Sequence, residues 1–372
     1  MSNPSSLSLP LFLALGAGAL LGLSAATQKD RLPAIGGAKA SLEGAQPLPV
    51  IEIAFGTELA SAGGRLRDTV AQVPQAIREH LGFGPAQMTF KEDIDLAPTG
   101  YSVRLRGLPV AGGTVEPDRL LALKTLGVSG GELAGETILE PVTGRNGVWI
   151  SEQDAGQARL LGYDVIEPGF ILALHIDTVL RRHLHELLTR EEAYRLLDRA
   201  KQTAPRTVEE LTGKLEVGLV QKVLQSLLRE QVSLRDLPMV LELMSDAARQ
   251  SQEPAALTET VRVGLARQLS AALATDESVL HVLPLGPRWE QLRNAQPQDQ
   301  SVRDLISELR HQIDGARNQG IRPVLVAPRE LRAQVRRLIE RELPDLPVLS
   351  EHEVDPAFRL EPVNSPMVGA NA

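Results

Sequence analysis

Hydrophobic positions recur most regularly between residues 160 and 269. Val220, Val223, Leu224, Leu227 and Leu228 fall at i, i+3, i+4, i+7 and i+8, so all five share one face of a helix. Leu237, Val240, Leu241 and Met244 form a second apolar face. Ser233 stands where an N-cap belongs, with Asp236 three residues on to reach back as the Glu of a capping box does. The spacing therefore predicts two helices packed antiparallel across a short turn. Thr189 with Glu192 and Thr207 with Glu210 mark two more helix starts, and Pro205, Gly213 and Pro254 punctuate a helical stretch over residues 193–273. The run LGYDVIEPGFILALHI, from Leu161, reads as a β element that leads into this stretch.

Elsewhere the pattern alternates. PVIEIAF at residues 49–55 predicts a strand ending at Gly56, followed by a helix over 65–81 that Pro74 either kinks or begins and that Gly82 caps. Residues 86–92 and 101–107 predict two further strands, the second alternating Tyr101, Val103 and Leu105 against Ser102, Arg104 and Arg106. Together they make a small α/β unit. From 112 to 159 the composition shifts toward Gly and short apolar pieces, as an insertion would. After Thr275, the strands HVLPL, RPVLVAP and LPVLS alternate with helices over 302–319 and 329–342, which implies a parallel sheet with crossover helices. The end, 351–372, reads as a lightly ordered tail.

Residues 1–26 carry no Lys, Arg, Asp or Glu, and residues 7–26 supply about 20 apolar or small residues, roughly 30 Å of helix and enough to cross a bilayer. Lys29, Arg31 and Lys39 follow, which places the remainder on the cytoplasmic side of an inner membrane crossed once. A cleaved signal peptide is the competing reading, although its basic n-region is missing. Residues 27–47, rich in Ala, Gly and Pro, read as a linker.

Composition removes several function classes. A net charge of −8 argues against a nucleic-acid surface, and an aromatic content of 3% against base-stacking platforms. Without cysteine there is neither a disulfide framework nor a thiolate metal site. His183 and His185 point about 200° apart on a helix and cannot share an ion. His175, at the end of a strand-like run, reads as a packed or hydrogen-bonded structural histidine. The Ser233 turn also fits a helix-turn-helix, but Asp236, Glu242 and Asp246 make a poor face for phosphate. No glycine-rich phosphate loop follows any C-terminal strand; Gly286-Pro287 is only a turn signal. No nucleophile and base pair up, so the sequence points to no enzyme, no cofactor and no metal.

Several of these stretches together carry a resemblance. LGYDVIEP with the following His175, LL-x-R-x-E-A-x-x-LLD at 187–198, VLQ-x-LLRE-x-VS-x-RD at 223–236 and LTE-x-VR-x-x-L-x-R at 257–267 resemble, in order, the cytoplasmic part of the FlhA/SctV (FHIPEP) family. That family forms the export gate of type III secretion in flagella and injectisomes, and the match runs over most of residues 48–360. The resemblance implies a multidomain α/β (α+β) chain. Helix 7–26 would be the last of several transmembrane segments, whose absence suggests a truncated or split member or a chain that begins late. After linker 27–47 come subdomain 1 (48–111 and 160–185) with subdomain 2 inserted at 112–159, helical subdomain 3 (186–274), α/β subdomain 4 (275–360) and a tail (361–372).

The family further implies a nine-membered ring, and as partners other export-apparatus proteins, chaperone-cargo complexes and the export ATPase complex. A membrane-tethered adaptor that keeps the domain without channel function is the alternative. Flagellar members receive chaperone-cargo complexes in an apolar dimple, partly built by an Asp-Pro-Ala-Phe run and the Thr of a Thr-His-Leu triplet. The matching residues here are Glu140-Pro141-Val142-Thr143 and Leu174-His175-Ile176, with Leu123 as a further wall. Leu123, Glu140, Thr143 and Leu174 are thus the expected partner-binding residues, with Thr143 in place of an aromatic anchor. The opposing reading makes them ordinary turn and core residues.

Overall fold

The computed structural model describes residues 50–62, 64–124, 131–140, 145–284, 295–296, 298–317 and 319–363. The expected membrane helix 7–26, linker 27–47, Thr143, Gly286-Pro287 and most of the tail lie outside them. Among the described residues no helix is long and apolar enough to cross a membrane. The chain divides into two compact units between residues 187 and 188.

The first unit holds two sheets. β1 (Ile51–Phe55), β2 (Thr89–Glu92), β3 (Gly100–Leu105) and β4 (Leu108–Thr114) are ordered β2-β1-β3-β4, with β1 parallel to β2 and antiparallel to β3. Arg106 and Gly107 both take positive φ, 50° and 80°, which turns β3 tightly into β4. The helical stretch around Pro74 is two helices, α2 (Gly64–Ala71) and α3 (Val73–Leu81), after a short α1 (Thr57–Ser61). Pro74 sits in the first turn of α3, where its missing N–H costs nothing, and Gly82 ends that helix at φ 72°.

The second sheet is antiparallel, β6-β7-β5-β8, from β5 (Leu120–Lys124), β6 (Glu136–Leu139), β7 (Asn146–Ile150) and β8 (Tyr163–Ile166). Short α4 (Ala155–Leu160) packs beside β8. Two expected boundaries shift. β4 runs past residue 111, and residues 163–166, expected to return to the first sheet, pair with β5 of the second. The rest of the run expected as β is α5 (Pro168–Arg182), with Pro168 in its first turn. Ile171 to Arg181 are all buried, and α5 packs against α2 and α3. A continuous apolar run satisfies either a buried strand or a buried helix. Pro168, free of any hydrogen bond to break, starts the helix.

The second unit begins helical: α7 (Arg190–Thr203), α8 (Pro205–Lys214), α9 (Val217–Arg229), α10 (Leu237–Ala247), α11 (Pro254–Gly264) and α12 (Ala266–Leu273), after a single turn α6 (Leu184–Leu187) that closes the first unit. Both apolar faces read from the sequence are buried. Their packing differs from the expectation, because α9 lies chiefly against α11, and α10 against α8 and α11 alike, rather than the two against each other. The capping also differs. Thr189 accepts from the Glu192 N–H as expected, but α10 is capped by Asp236, which accepts from Met239 N–H. Ser233 Oγ accepts from Arg235 N–H within the connecting turn. Pro205 starts α8, so Thr207 lies inside it rather than at its cap.

The unit ends in a parallel sheet ordered β11-β10-β9-β12, from β9 (Val279–Pro284), β10 (Pro323–Ala327), β11 (Val348–Ser350) and β12 (Arg359–Pro362). Crossover helices α13 (Gln300–Arg317) and α14 (Arg329–Ile339) cover it. Their shared core includes Leu283, Ile306, Ile313, Leu325, Val335 and Val348. The segment expected as a tail from residue 351 instead makes a 3-10 turn at Glu351–Glu353, closed by a Ser350/Glu353 capping box, and the edge strand β12.

Candidate functional site

The expected partner-binding residues fall on two elements of the first unit. Leu123 lies on β5, directly across from Gly147 of β7. A Cβ at Gly147 would come within 2.8 Å of the Leu121 and Leu123 side chains, so glycine there lets both leucines lie over the sheet. Leu139, the last residue of β6, pairs with Asn146 at that same end of the sheet, and Glu140 follows it. The Glu140 N–H donates to the Arg145 carbonyl at 2.9 Å, joining the facing ends of the β6 and β7 strands. Leu123 and Glu140 thus share one end of the second sheet. Leu174 lies on α5.

All three are buried: Leu123 and Glu140 are 1% exposed and Leu174 4%. They shape their surroundings and offer a visitor almost no surface themselves. What that end of the sheet does expose is Leu139, at 50%. Sequence reasoning passed over it because a lone leucine ending a short strand gives no signal of its own.

Besides Ser102 and Glu140, the buried polar side chains described in this unit, His175, Asp177, Thr178 and Arg181, all lie on α5. Tyr101 of β3 is hydrogen-bonded to Nδ1 of His175 at 2.6 Å, with the two rings edge to face. Burial, reinforced by the positive charge of Arg182, holds His175 down at about 4, so the ring is neutral at physiological pH. Two residues on, Asp177 meets Arg181 at 2.7 Å, both almost fully buried. Burial pushes the Asp177 carboxyl up while Arg181 opposes that shift. The Tyr101–His175 bond ties β3 to α5, as expected of a structural histidine, though from a helix and not a strand end, while the Asp177–Arg181 pair lies within α5.

His183 Nδ1 lies 2.7 Å from Glu186 Oε1 just past the end of α5, a local pair on the surface. Among the described residues no group of His, Asp and Glu is placed to hold a metal ion.

The FHIPEP family profile matches residues 23–359. The chain belongs to the FHIPEP family. Within it, the flagellar biosynthesis protein FlhA of Escherichia coli strain K12 is 31% identical over 298 residues, covering 78% of this chain and 43% of that protein. The chain thus spans less than half the length of the curated FHIPEP relatives it matches.

The fold is that of several solved structures. The structure of the Chlamydia pneumoniae CdsV and CdsO protein complex includes a chain that matches at a TM-score of 0.72 and 21% identity, covering 87% of this chain and 99% of that one. The cryo-EM structure of nonameric EPEC SctV-C matches at 0.67 and 18%, covering 86% and 98%. At such identities the likeness concerns the fold alone.

Proposed function

We propose that this chain is the cytoplasmic docking platform of a type III protein secretion export gate, of a flagellum or an injectisome. The observation that carries the reading is the FHIPEP match over residues 23–359, on a chain whose fold follows a chain of the CdsV and CdsO complex across 87% of its length. Its work is to receive and order other proteins, chaperone-cargo complexes and the export ATPase complex among them. Residues 7–26 anchor it in the inner membrane, 27–47 lead into the cytoplasm, and the body divides into a small α/β subdomain, an inserted sheet, a helical part and a C-terminal α/β part. Nine copies form a ring, in which each protomer offers two different complementary faces.

In this reading chaperone-cargo complexes dock over the end of the second sheet shaped by Leu123 and Glu140 and beside the α5 segment holding Leu174, with Thr143 as a further contact residue. The replacement of an aromatic anchor by Thr143 changes which chaperones fit there.

Deleting the coding sequence and assaying the culture supernatant tests the assignment. Loss of the exported proteins, restored by the gene in trans, is the expected result. Undiminished export would remove the reading in favour of a tethered adaptor. Light scattering of the protein in lipid, at high concentration, tests the ring; a strict monomer there counts against it.

A further inference from the structure

The helical half of the second unit and its C-terminal α/β half meet through a buried set of charges. Glu230, just past α9, and Glu259 and Arg262, on α11, come from the helical side. Arg332 and Arg336, on α14, and Glu353, in the turn after β11, come from the α/β side. The helical side thus supplies two carboxylates and one guanidinium, the other side two guanidiniums and one carboxylate. Counted over these six groups alone, the helical side has one negative charge in excess and the α/β side one positive, with Glu340 and Asp345 of the α/β half also facing Arg336.

All but one of the ion pairs within the set cross the junction; Arg262 with Glu230 lies within the helical side. Arg262 Nε meets Glu353 Oε1 at 2.7 Å and its Nη1 meets Glu230 at 3.4 Å. Arg332 holds Glu230 through both Nη atoms at 2.7 and 3.1 Å, and Glu259 through Nε at 2.6 Å. The side chains of Arg262, Arg332 and Glu353 are at most 3% exposed, with Glu230 at 13% and Glu259 at 23%. Both arginines also donate to the Val348 carbonyl, and Arg336 to the carbonyls of Leu346 and Pro344. Ser270 of α12 adds two bonds across the same junction, to the Glu353 carbonyl and from the Asp355 N–H.

Two further features give the junction the form of a joint. The α/β half has, between its sheet and α13 and α14, a core built wholly from its own residues, 283–348. Among the described residues the backbone crosses the junction once, at 274–278, where Ser278 takes φ 60° in a tight turn. Charges that cannot be left unpaired without large cost favour one register between two bodies and tolerate no intermediate one.

We infer that these six charges form a latch that holds the C-terminal α/β half in one orientation on the helical half and, when broken, releases it as an intact body turning about residues 274–278. The latch is a conformational control on whatever that half docks, and does not depend on the export reading.

The chain's lack of cysteine makes the test direct. Spin labels are placed on the full-length protein at Glu242→Cys and Ala333→Cys, both exposed, and interlabel distances are measured with and without Arg332→Met. The unsubstituted protein should give one narrow distribution. Arg332→Met should add a second population at another distance, with about tenfold faster amide exchange over 259–270 and 348–353 and unchanged protection within α13 and α14. Should Arg332→Met fail to fold, Glu259→Gln at the more exposed end of the set serves instead, with a smaller second population. A single unchanged distribution in a folded variant overturns the latch. So does exchange that rises equally in both halves, which would make the six charges part of one cooperative fold.

Discussion

Tyr101 Oη and His175 Nδ1 are 2.6 Å apart, and that bond is the polar link between the first sheet and the buried helix α5. Removing the hydroxyl with Tyr101→Phe leaves a ring nitrogen of His175 without its partner in a site closed to water. The cost should be about 1–3 kcal/mol. Chemical denaturation, read as a lower midpoint at unchanged slope, checks it.

The same histidine predicts a pH dependence. Its folded-state value of about 4 lies below the usual 6.5, so between these limits the unfolded chain binds more protons than the folded one. Stability from this group is therefore full above pH 6.5 and falls as the pH drops toward 4, by on the order of 3 kcal/mol. His175→Gln should flatten that window. Denaturation midpoints for both proteins between pH 4 and 7 decide it, and parallel curves would assign the dependence to other groups.

At the α9–α10 connection, Asp236 and Ser233 compete as the residue that caps α10. Asp236 accepts from the Met239 N–H at 3.2 Å, whereas Ser233 serves the turn before it. Asp236→Ala should cost about 1 kcal/mol, and Ser233→Ala only a few tenths. Thermal melts of the two variants compare them, and equal losses would contradict the assignment.

Much of this architecture can be read from spacing alone. The α9 face is legible because five apolar residues at helical intervals have one solution, and β9, β10 and β11 because apolar strands alternate with amphipathic helices. What escaped has identifiable causes. β4, LPVAGGT, is glycine-rich and is a strand because β3 pairs with it across a tight turn. β12 carries Arg359 and Glu361 on an edge, so its pairing with β9 is not written in an apolar alternation. Residues 170–176 are apolar at every position but one, and such a run fits either period. The expected partner-binding residues rest on resemblance and not on chemistry. The buried charges were invisible because Arg262 and Glu353 lie 91 positions apart and Arg332 and Glu230 lie 102 apart.

Gly56 closes β1 at ordinary backbone angles, φ −63° and ψ 167°, so what demands glycine is space. Its N–H donates to the Gly100 carbonyl at 2.8 Å, and an added Cβ would sit 1.9 Å from the Ala97 carbonyl oxygen. Backbone cannot yield as a side chain does. Gly56→Ala should cost about 3 kcal/mol, while Gly64→Ala, with nothing near the new methyl, should be neutral or stabilising. Melting temperatures of the pair give the contrast.

Docking over the second sheet needs a test that leaves the core alone. Leu174 cannot supply it, because at 4% exposure an introduced carboxylate would be buried and the readout would be unfolding. Leu139 can, being half exposed and next to Glu140. Leu139→Asp places a charge on the apolar surface without entering the core, so the melting temperature should hold within about 0.5 kcal/mol of stability. Capture of a chaperone-cargo complex should weaken about tenfold or more if Leu139 lies within the docked patch. Leu160→Asp, at a residue 90% exposed on α4, is the matched control and should leave capture unchanged. Binding isotherms with a purified chaperone-cargo complex separate the cases. Equal affinity for both variants and the parent protein would move the docking surface away from this end of the sheet, while an equal loss in both would point to charge on the unit as a whole.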